Sequence, residues 1–169
     1  MIPVVSVVGR KNSGKTTLLE KLIPELKRLG VRVGVVKHDV HGFEMDHPGT
    51  DTYRVMEAGA DAVAISGPTE MALRRRTDGE LPLAEVVERH MHDVDLVLTE
   101  GYKRSDRPKI EVATPEGLLC GPVDHLVAVV GSAPPGTTVP VFDRDDAGGL
   151  ARFLAVTYLE GSGREEERA

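Results

Sequence analysis

Short β-branched runs alternate along the chain with stretches whose apolar residues recur every three or four positions, a pattern that predicts a layered α/β domain. Val4–Val8 is apolar but for Ser6 and stops at Gly9, which predicts a first strand. From Lys15 to Leu29 the spacing changes. Leu18, Leu22, Leu26 and Leu29 fall on one stripe with Leu19 and Ile23 beside it, which predicts a helix closed by Gly30. Pro24 inside that stripe predicts a bend or a missing hydrogen bond. Val31–Val36 is rich in Val, as in a strand buried on both faces. Strand, helix and strand at this spacing read as a βαβ unit, so these two strands should run parallel with a right-handed crossover.

The pattern then lapses. His38 to Asp51 is 14 residues long, has little apolar periodicity and holds three of the 6 histidines. Loops of that length are usually functional or disordered. Beyond it the sequence predicts a short helix over 52–57, a strand over 62–66 and a hairpin partner over 69–76, joined through Gly67-Pro68. A helix over 82–91 should turn Leu83, Val86, Val87 and His90 or Met91 inward. Further strands are predicted over 94–99, 109–112, 125–130 and 139–142. The closing helix, 146–159, has Ala147, Leu150, Leu154 and Thr157 or Tyr158 on its inner stripe. With no internal repeat and no linker, residues 1–160 are expected to form a single domain, and 161–169 a charged, fraying tail.

Composition narrows the classes. Aromatic residues are 4% of the 169 positions and Trp is absent, so the core must come from Val, Leu, Ile and Ala. Lys+Arg 21 against Asp+Glu 27 gives a net charge of −6, the opposite of a protein that grips nucleic acid through many phosphates. The lone Cys120 allows no internal disulfide and no thiolate metal site. The start, MIPVVSVVGRKNSGK, shows no basic leader with a cleavable apolar stretch, and no apolar run approaches a membrane span. A cytoplasmic protein with no membrane partner is expected.

Gly9-Arg10-Lys11-Asn12-Ser13-Gly14-Lys15-Thr16 matches G-x-x-x-x-G-K-[ST] at every fixed position. The glycines let the backbone wrap close to a pyrophosphate, and the turn aims successive N–H groups inward as an anion nest. The helix beginning near Lys15 adds its unsatisfied N-terminal donors and positive dipole end. Lys15 reaches the β- and γ-phosphates, the Thr16 hydroxyl ligates Mg²⁺, and Thr17 is a candidate for another phosphate contact. The loop also lies where it must, between a buried strand and an amphipathic helix. The fold expected is therefore a P-loop NTPase-like three-layer sandwich with a mostly parallel, partly mixed sheet. Such a domain needs a second acidic group near the metal. Glu100, which ends the apolar run Val94–Leu98 and precedes Gly101, is the best placed candidate, with a solvated strand-end carboxylate as the open alternative. Asp39, just beyond the second strand, is another.

His38, His41 and His47 invite a metal reading, yet a zinc site needs one more firm ligand. The preferred reading is a polar loop beside the phosphates, with Lys37 and His38 as anion contacts. His90 and His92 read as surface or capping residues. Arg74–Arg76 and the set Lys103, Arg104, Arg107 and Lys109 are candidate surfaces for a phosphorylated ligand or an acidic partner. Ser6, Ser13 and Ser66 sit in no nucleophile elbow, and no residue is assigned a catalytic role.

Three blocks, GRKNSGKTTLLEKLIPELKRLG, VGVVKHDVHGFEMDHPGTDTYRVMEAGA and LVLTEGYKRSDRPKIEV, together resemble the molybdopterin-guanine dinucleotide biosynthesis adapter family, MobB. The resemblance runs from about Val4 to Val112 and more loosely to the final helix. It implies a dimeric GTP-binding protein with at most slow hydrolysis. Such a protein assists the guanylyltransferase that joins GMP to molybdopterin and helps deliver the finished cofactor to molybdoenzymes. By motif match, Gly14, Lys15 and Thr16 bind phosphates and Mg²⁺, with Glu100 as the second acidic group. Lys37, His38, Asp39, Asp46, Asp51 and Arg54 line the nucleotide or pterin side, with His41 also on the cofactor or partner side, and Lys103 and Lys109 attract the cofactor's phosphate. Two departures stand out. The Asn-Lys-x-Asp guanine-reading sequence is absent, leaving Asp143 as the candidate base reader or, alternatively, a helix N-terminal acid. Nor does an arginine finger or water-positioning Gln follow a motif. Two other readings stay open: a small kinase with an arginine-bearing lid, and a nucleotide-independent scaffold.

Overall fold

β1 (Val4–Val8) is buried at all five positions, which only a strand covered on both faces and both edges can be. The computed structural model describes residues 1–120 and 125–160, so the expected tail lies outside the described residues. After β1 come α1 (Lys15–Arg28), β2 (Val33–Lys37), α2 (Asp51–Glu57), β3 (Ala62–Ser66), β4 (Met71–Arg75), α3 (Leu83–His90), β5 (Leu96–Glu100), β6 (Lys109–Val112), β7 (Leu126–Val130), β8 (Val141–Phe142) and α4 (Ala147–Tyr158).

Six strands form one sheet in the order β2-β5-β1-β6-β7-β8, and every pairing in it is parallel. β1 and β2 point the same way, as a βαβ unit requires, but β5 stands between them. Among the described residues antiparallel pairing lies outside this sheet, in the separate β3–β4 hairpin and in a single bridge between Thr114 and Gly117. By internal contact density the chain divides into two compact units: Met1–His38 with the residues from Val87 on, and Asp39–Val86. The second division falls within α3.

In the first unit, one sheet face carries Val5, Val7, Leu96, Leu98, Ile110, Val112, Ala128 and Val130 into a single core. Leu18, Leu19, Leu22 and Leu26 of α1 join it, as do Leu150, Ala151 and Leu154 of α4. α1 and α4 pack on each other. The α4 stripe is therefore as expected at Ala147, Leu150 and Leu154, and of its last pair Tyr158 packs half-buried against the core while Thr157 is exposed. The opposite face of the sheet is equally buried but partly polar. Ser6 pairs in register with Thr99 on one side and Lys109 on the other, and the Thr99 hydroxyl donates to Ser6 Oγ at 2.9 Å. The Glu111 carboxylate accepts the N–H groups of Leu119 and Cys120. These buried groups are satisfied within the fold, as buried polar atoms must be.

Pro24 does not break α1, which is one α-helix across it. In α3, Val87 alone is in the buried class; His90 is exposed. In the second unit Thr50 caps α2 by accepting the Tyr53 N–H. Arg76 fastens that helix to the hairpin, donating to the carbonyls of Met56 at 2.8 Å and Ala60 at 3.3 Å.

Candidate functional site

The loop between β1 and α1 has its shape forced on it by two residues without side chains. Gly9 has φ +147°, and a Cβ there would sit 2.7 Å from Ser13 Oγ and 2.8 Å from the Val112 carbonyl oxygen. Gly14, at φ +95°, is the residue from which α1 starts. Asn12 takes φ +60°, a conformation Asn tolerates better than most side chains do. No acidic residue stands in the first turn of α1, so its dipole end is left for an external anion.

Three parallel strands deliver side chains to the same sheet edge. Lys15 Nζ donates to the carbonyls of Gly9 at 3.2 Å and Arg10 at 2.7 Å. The Thr16 hydroxyl donates to Glu100 Oε2 at 3.0 Å, across 84 positions of sequence. Glu100 pairs in register with Val7 on one side and Lys37 on the other. The Lys37 ammonium lies 4.0 Å from Glu100 Oε1, whose side chain is 14% exposed. The His38 N–H donates to the Glu100 carbonyl at 3.0 Å, and its ring stacks on Tyr102 with centroids 4.6 Å apart. Tyr102 is held at φ +53°, strain of the kind that collects at functional sites. Glycine-rich loop, Lys15, Thr16, Glu100, Lys37 and His38 thus converge at the carboxyl ends of β1, β2 and β5, where open α/β sheets bind ligands. Thr16 and Glu100 offer two hard oxygen donors side by side, the set that Mg²⁺ prefers.

A cleft of about 250 Å³ flanks the loop, lined by Asn12, Ser13, Gly14, Thr17, Leu18, Lys21, Val112, Val130 and Arg144. A larger surface cleft, about 520 Å³, lies among Leu29, Val31, Val156 and Leu159, and its lining includes none of the phosphate-loop residues. Arg10, Lys11, Asn12, Thr16 and Thr17 are exposed around the loop, and Ser13 is buried.

The remaining candidates separate. Asp143 accepts the Asp145 N–H at 2.9 Å, while Asp146, not Asp143, caps α4 through the Gly149 N–H at 2.8 Å. Lys21 hydrogen-bonds Asp145 at 2.6 Å, and that bond and its charge hold the Asp145 carboxyl below the usual aspartate range. Lys103 is exposed. Lys109 is a correction: β6 is buried at all four of its positions, so Lys109 is 2% exposed and its ammonium donates to the Ser105 carbonyl at 2.6 Å. It offers no open cation to a phosphate.

Asp39, His41, Asp46, Asp51 and Arg54 belong to the second unit. Asp39 accepts the His41 N–H at 2.9 Å. Asp46 accepts the Thr50 hydroxyl at 2.7 Å and the His47 N–H at 2.9 Å, and the Thr50 bond is the main reason its carboxyl lies below the usual range. Arg54 faces Asp51 at 3.6 Å on the exposed side of α2. Among the described residues no three of His, Cys, Asp and Glu converge as a metal-binding group. Sequence reasoning missed Arg144 and the Tyr102 ring; the only signal for Arg144 is the polar run Asp143–Asp146 directly after a late strand.

An all-parallel sheet with a Gly9–Thr16 loop joining its central strand to α1, and Thr16 beside a strand-end Glu100, defines a P-loop NTPase-like α/β protein. The family model described as "Molybdopterin guanine dinucleotide synthesis protein B" matches residues 4–132. Among curated relatives, the molybdopterin-guanine dinucleotide biosynthesis adapter protein of Escherichia coli is 35% identical over 164 residues, covering 91% of this chain and 92% of that one. The probable adapter protein of the same name from Bacillus subtilis is 34% identical, covering 94% of each. The crystal structure of Bacillus subtilis MobB superposes with a TM-score of 0.72 at 29% identity, covering 95% of this chain and all of that one. The chain belongs to the MobB family.

Proposed function

We propose that this chain is a GTP-binding adapter in the biosynthesis of molybdopterin guanine dinucleotide, acting in the cytoplasm as a homodimer. Its partners on this reading are the guanylyltransferase that attaches GMP to molybdopterin and the proteins that insert the cofactor into molybdoenzymes. The observation that carries the nucleotide reading is the Thr16 hydroxyl 3.0 Å from Glu100 at the mouth of the Gly9–Thr16 loop. The loop backbone and Lys15 bind the β- and γ-phosphates, and Thr16 and Glu100 hold Mg²⁺ directly or through water. Lys37 and His38 flank the same edge, and Asp143, following β8, is the candidate reader of the guanine N1–H and amino group. Mg²⁺, when bound, neutralises phosphate charge. In the second unit His41, Asp46, Asp51 and Arg54 supply polar contacts for the pterin or a partner protein, and in the first unit Lys103 is a separate exposed cation for such a ligand.

Hydrolysis on this reading is slow. The chain contains no Gln, so no such side chain orients an attacking water. A nucleotide-dependent adapter fits better than a kinase because the kinase reading loses part of its lid: Arg76 is tied to backbone carbonyls of its own unit. Titration calorimetry with GTP and with ATP, each with and without Mg²⁺, tests the proposal. Mg²⁺-dependent GTP binding supports it, binding of both nucleotides alike removes the guanine preference, and no binding at millimolar concentration defeats it.

A further inference from the structure

We propose that Arg144 is a positioning residue that sets the backbone shape of the phosphate-binding loop, a role that rests on the nucleotide reading of that loop. Arg144 is 131 positions from Ser13 in sequence, yet its Nη1 donates to the Ser13 carbonyl at 2.9 Å. Its Nη2 donates to the carbonyl of Ala113, the residue that follows β6. One planar guanidinium therefore ties the loop to the end of a neighbouring strand, with a fork geometry that a single ammonium cannot reproduce.

Room has been left for this side chain. A Cβ on Gly14 would come 3.3 Å from Arg144 Nη1, and one on Gly131 would come 3.2 Å from its Nε. The turn that presents Arg144 is itself fixed, by the Asp145 N–H on Asp143 and by Lys21 on Asp145. The Ser13 side chain gives the loop little help: the residue is 4% exposed, and its hydroxyl has no hydrogen-bond partner among the described residues.

The consequence follows from peptide planarity. In a trans peptide the C=O and the next N–H point in opposite directions. Holding the Ser13 oxygen on the guanidinium therefore aims the Gly14 N–H away from Arg144. A nest needs that orientation fixed before the anion arrives, because a donor that must first turn weakens binding. Arg144 acts through the loop rather than on the reacting phosphate.

The test uses the full chain with Arg144→Ala and Arg144→Lys, the lysine variant guarding against a general folding defect. Hydrogen exchange on the protein alone is read at the amides of Ser13 and Leu18, which donate to the loop carbonyls of Arg10 and Gly14, and, as a control, at β1 and β5. The expected result is exchange about tenfold or more faster at the loop in Arg144→Ala, with less change in Arg144→Lys and none in the control strands. Calorimetry with inorganic tripolyphosphate and with GTP, both with Mg²⁺, should show the same fold loss for the two probes. Unchanged loop exchange overturns the proposal. So does a loss confined to GTP with tripolyphosphate binding intact, which would make Arg144 a base contact instead. Should the wild-type chain bind neither probe, the nucleotide reading fails on its own, and the exchange measurement still decides whether Arg144 shapes the loop.

Discussion

Lys15 is the residue whose loss is easiest to forecast. Its ammonium donates to two carbonyls of the loop it belongs to, and it is the motif's own cation for the β- and γ-phosphates. Lys15→Ala should weaken GTP–Mg²⁺ binding by about tenfold to a hundredfold, the scale of a charge-assisted hydrogen bond, with little change in melting temperature because the side chain is not part of the core. Affinity within twofold of wild type would show that phosphates sit elsewhere. Asp145 gives a pH prediction. Lys21 depresses its carboxyl pKa in the folded state, so the stabilisation is present above the unfolded value and is lost as pH falls through the depressed folded value. Both partners are exposed, so the amplitude is small. Asp145→Asn should flatten the decline in melting temperature between about pH 5 and about pH 3 relative to wild type. Residues of this kind differ in how far the sequence reveals them. The Gly9–Thr16 motif is legible because its eight positions act locally, and Glu100 because it ends an apolar run. Arg144 is not, since nothing near it names a carbonyl 131 positions away. Lys109 misled because its basic neighbours suggested a surface, while β6 lies inside the sheet and is buried at all four positions.

At the scale of elements, the apolar periodicity placed β1, β3 and β6 at their observed ends and the other elements within two residues. What it left out is strand order. β5 inserts between β1 and β2 because helices and sheet must pack as layers, and the crossover after β2 contains an entire second unit that local pattern does not position. Pro24 shows local propensity overridden. It lacks the N–H that the Glu20 carbonyl would accept, yet Glu20 and Pro24 both face solvent, where water can serve that oxygen. Leu22 and Leu26 meanwhile are fully buried and hold the helix on the sheet. Pro24→Ala should therefore stabilise the protein by about 1–3 kcal/mol, since proline is the poorest interior helix residue, and leave GTP affinity unchanged. A denaturant midpoint equal to or below wild type would mean that the helix has adapted its backbone to the ring.

For the whole molecule, the two units differ in how they are held. The first has a continuous core on one sheet face and a satisfied polar row on the other, whereas in Asp39–Val86 Met56 is the one residue in the buried class. The β3–β4 hairpin is two-stranded and largely exposed, with Ile65, Met71 and Leu73 among its open side chains. An isolated two-stranded sheet is marginal in water, so its amides should open locally, without global unfolding. Hydrogen exchange on dilute protein should then find β3 and β4 exchanging about a hundredfold or more faster than β1 and β5. The homodimer of the proposed function makes the opposite demand at high concentration if the hairpin lies in the interface, because burial of those apolar residues against a second copy would slow exchange there. Repeating the measurement across a dilution series, with light scattering on the same samples, separates the cases. Protection that rises with mass places the hairpin in the dimer, mass without protection places the interface elsewhere, and fast exchange with a monomer mass at every concentration removes the homodimer.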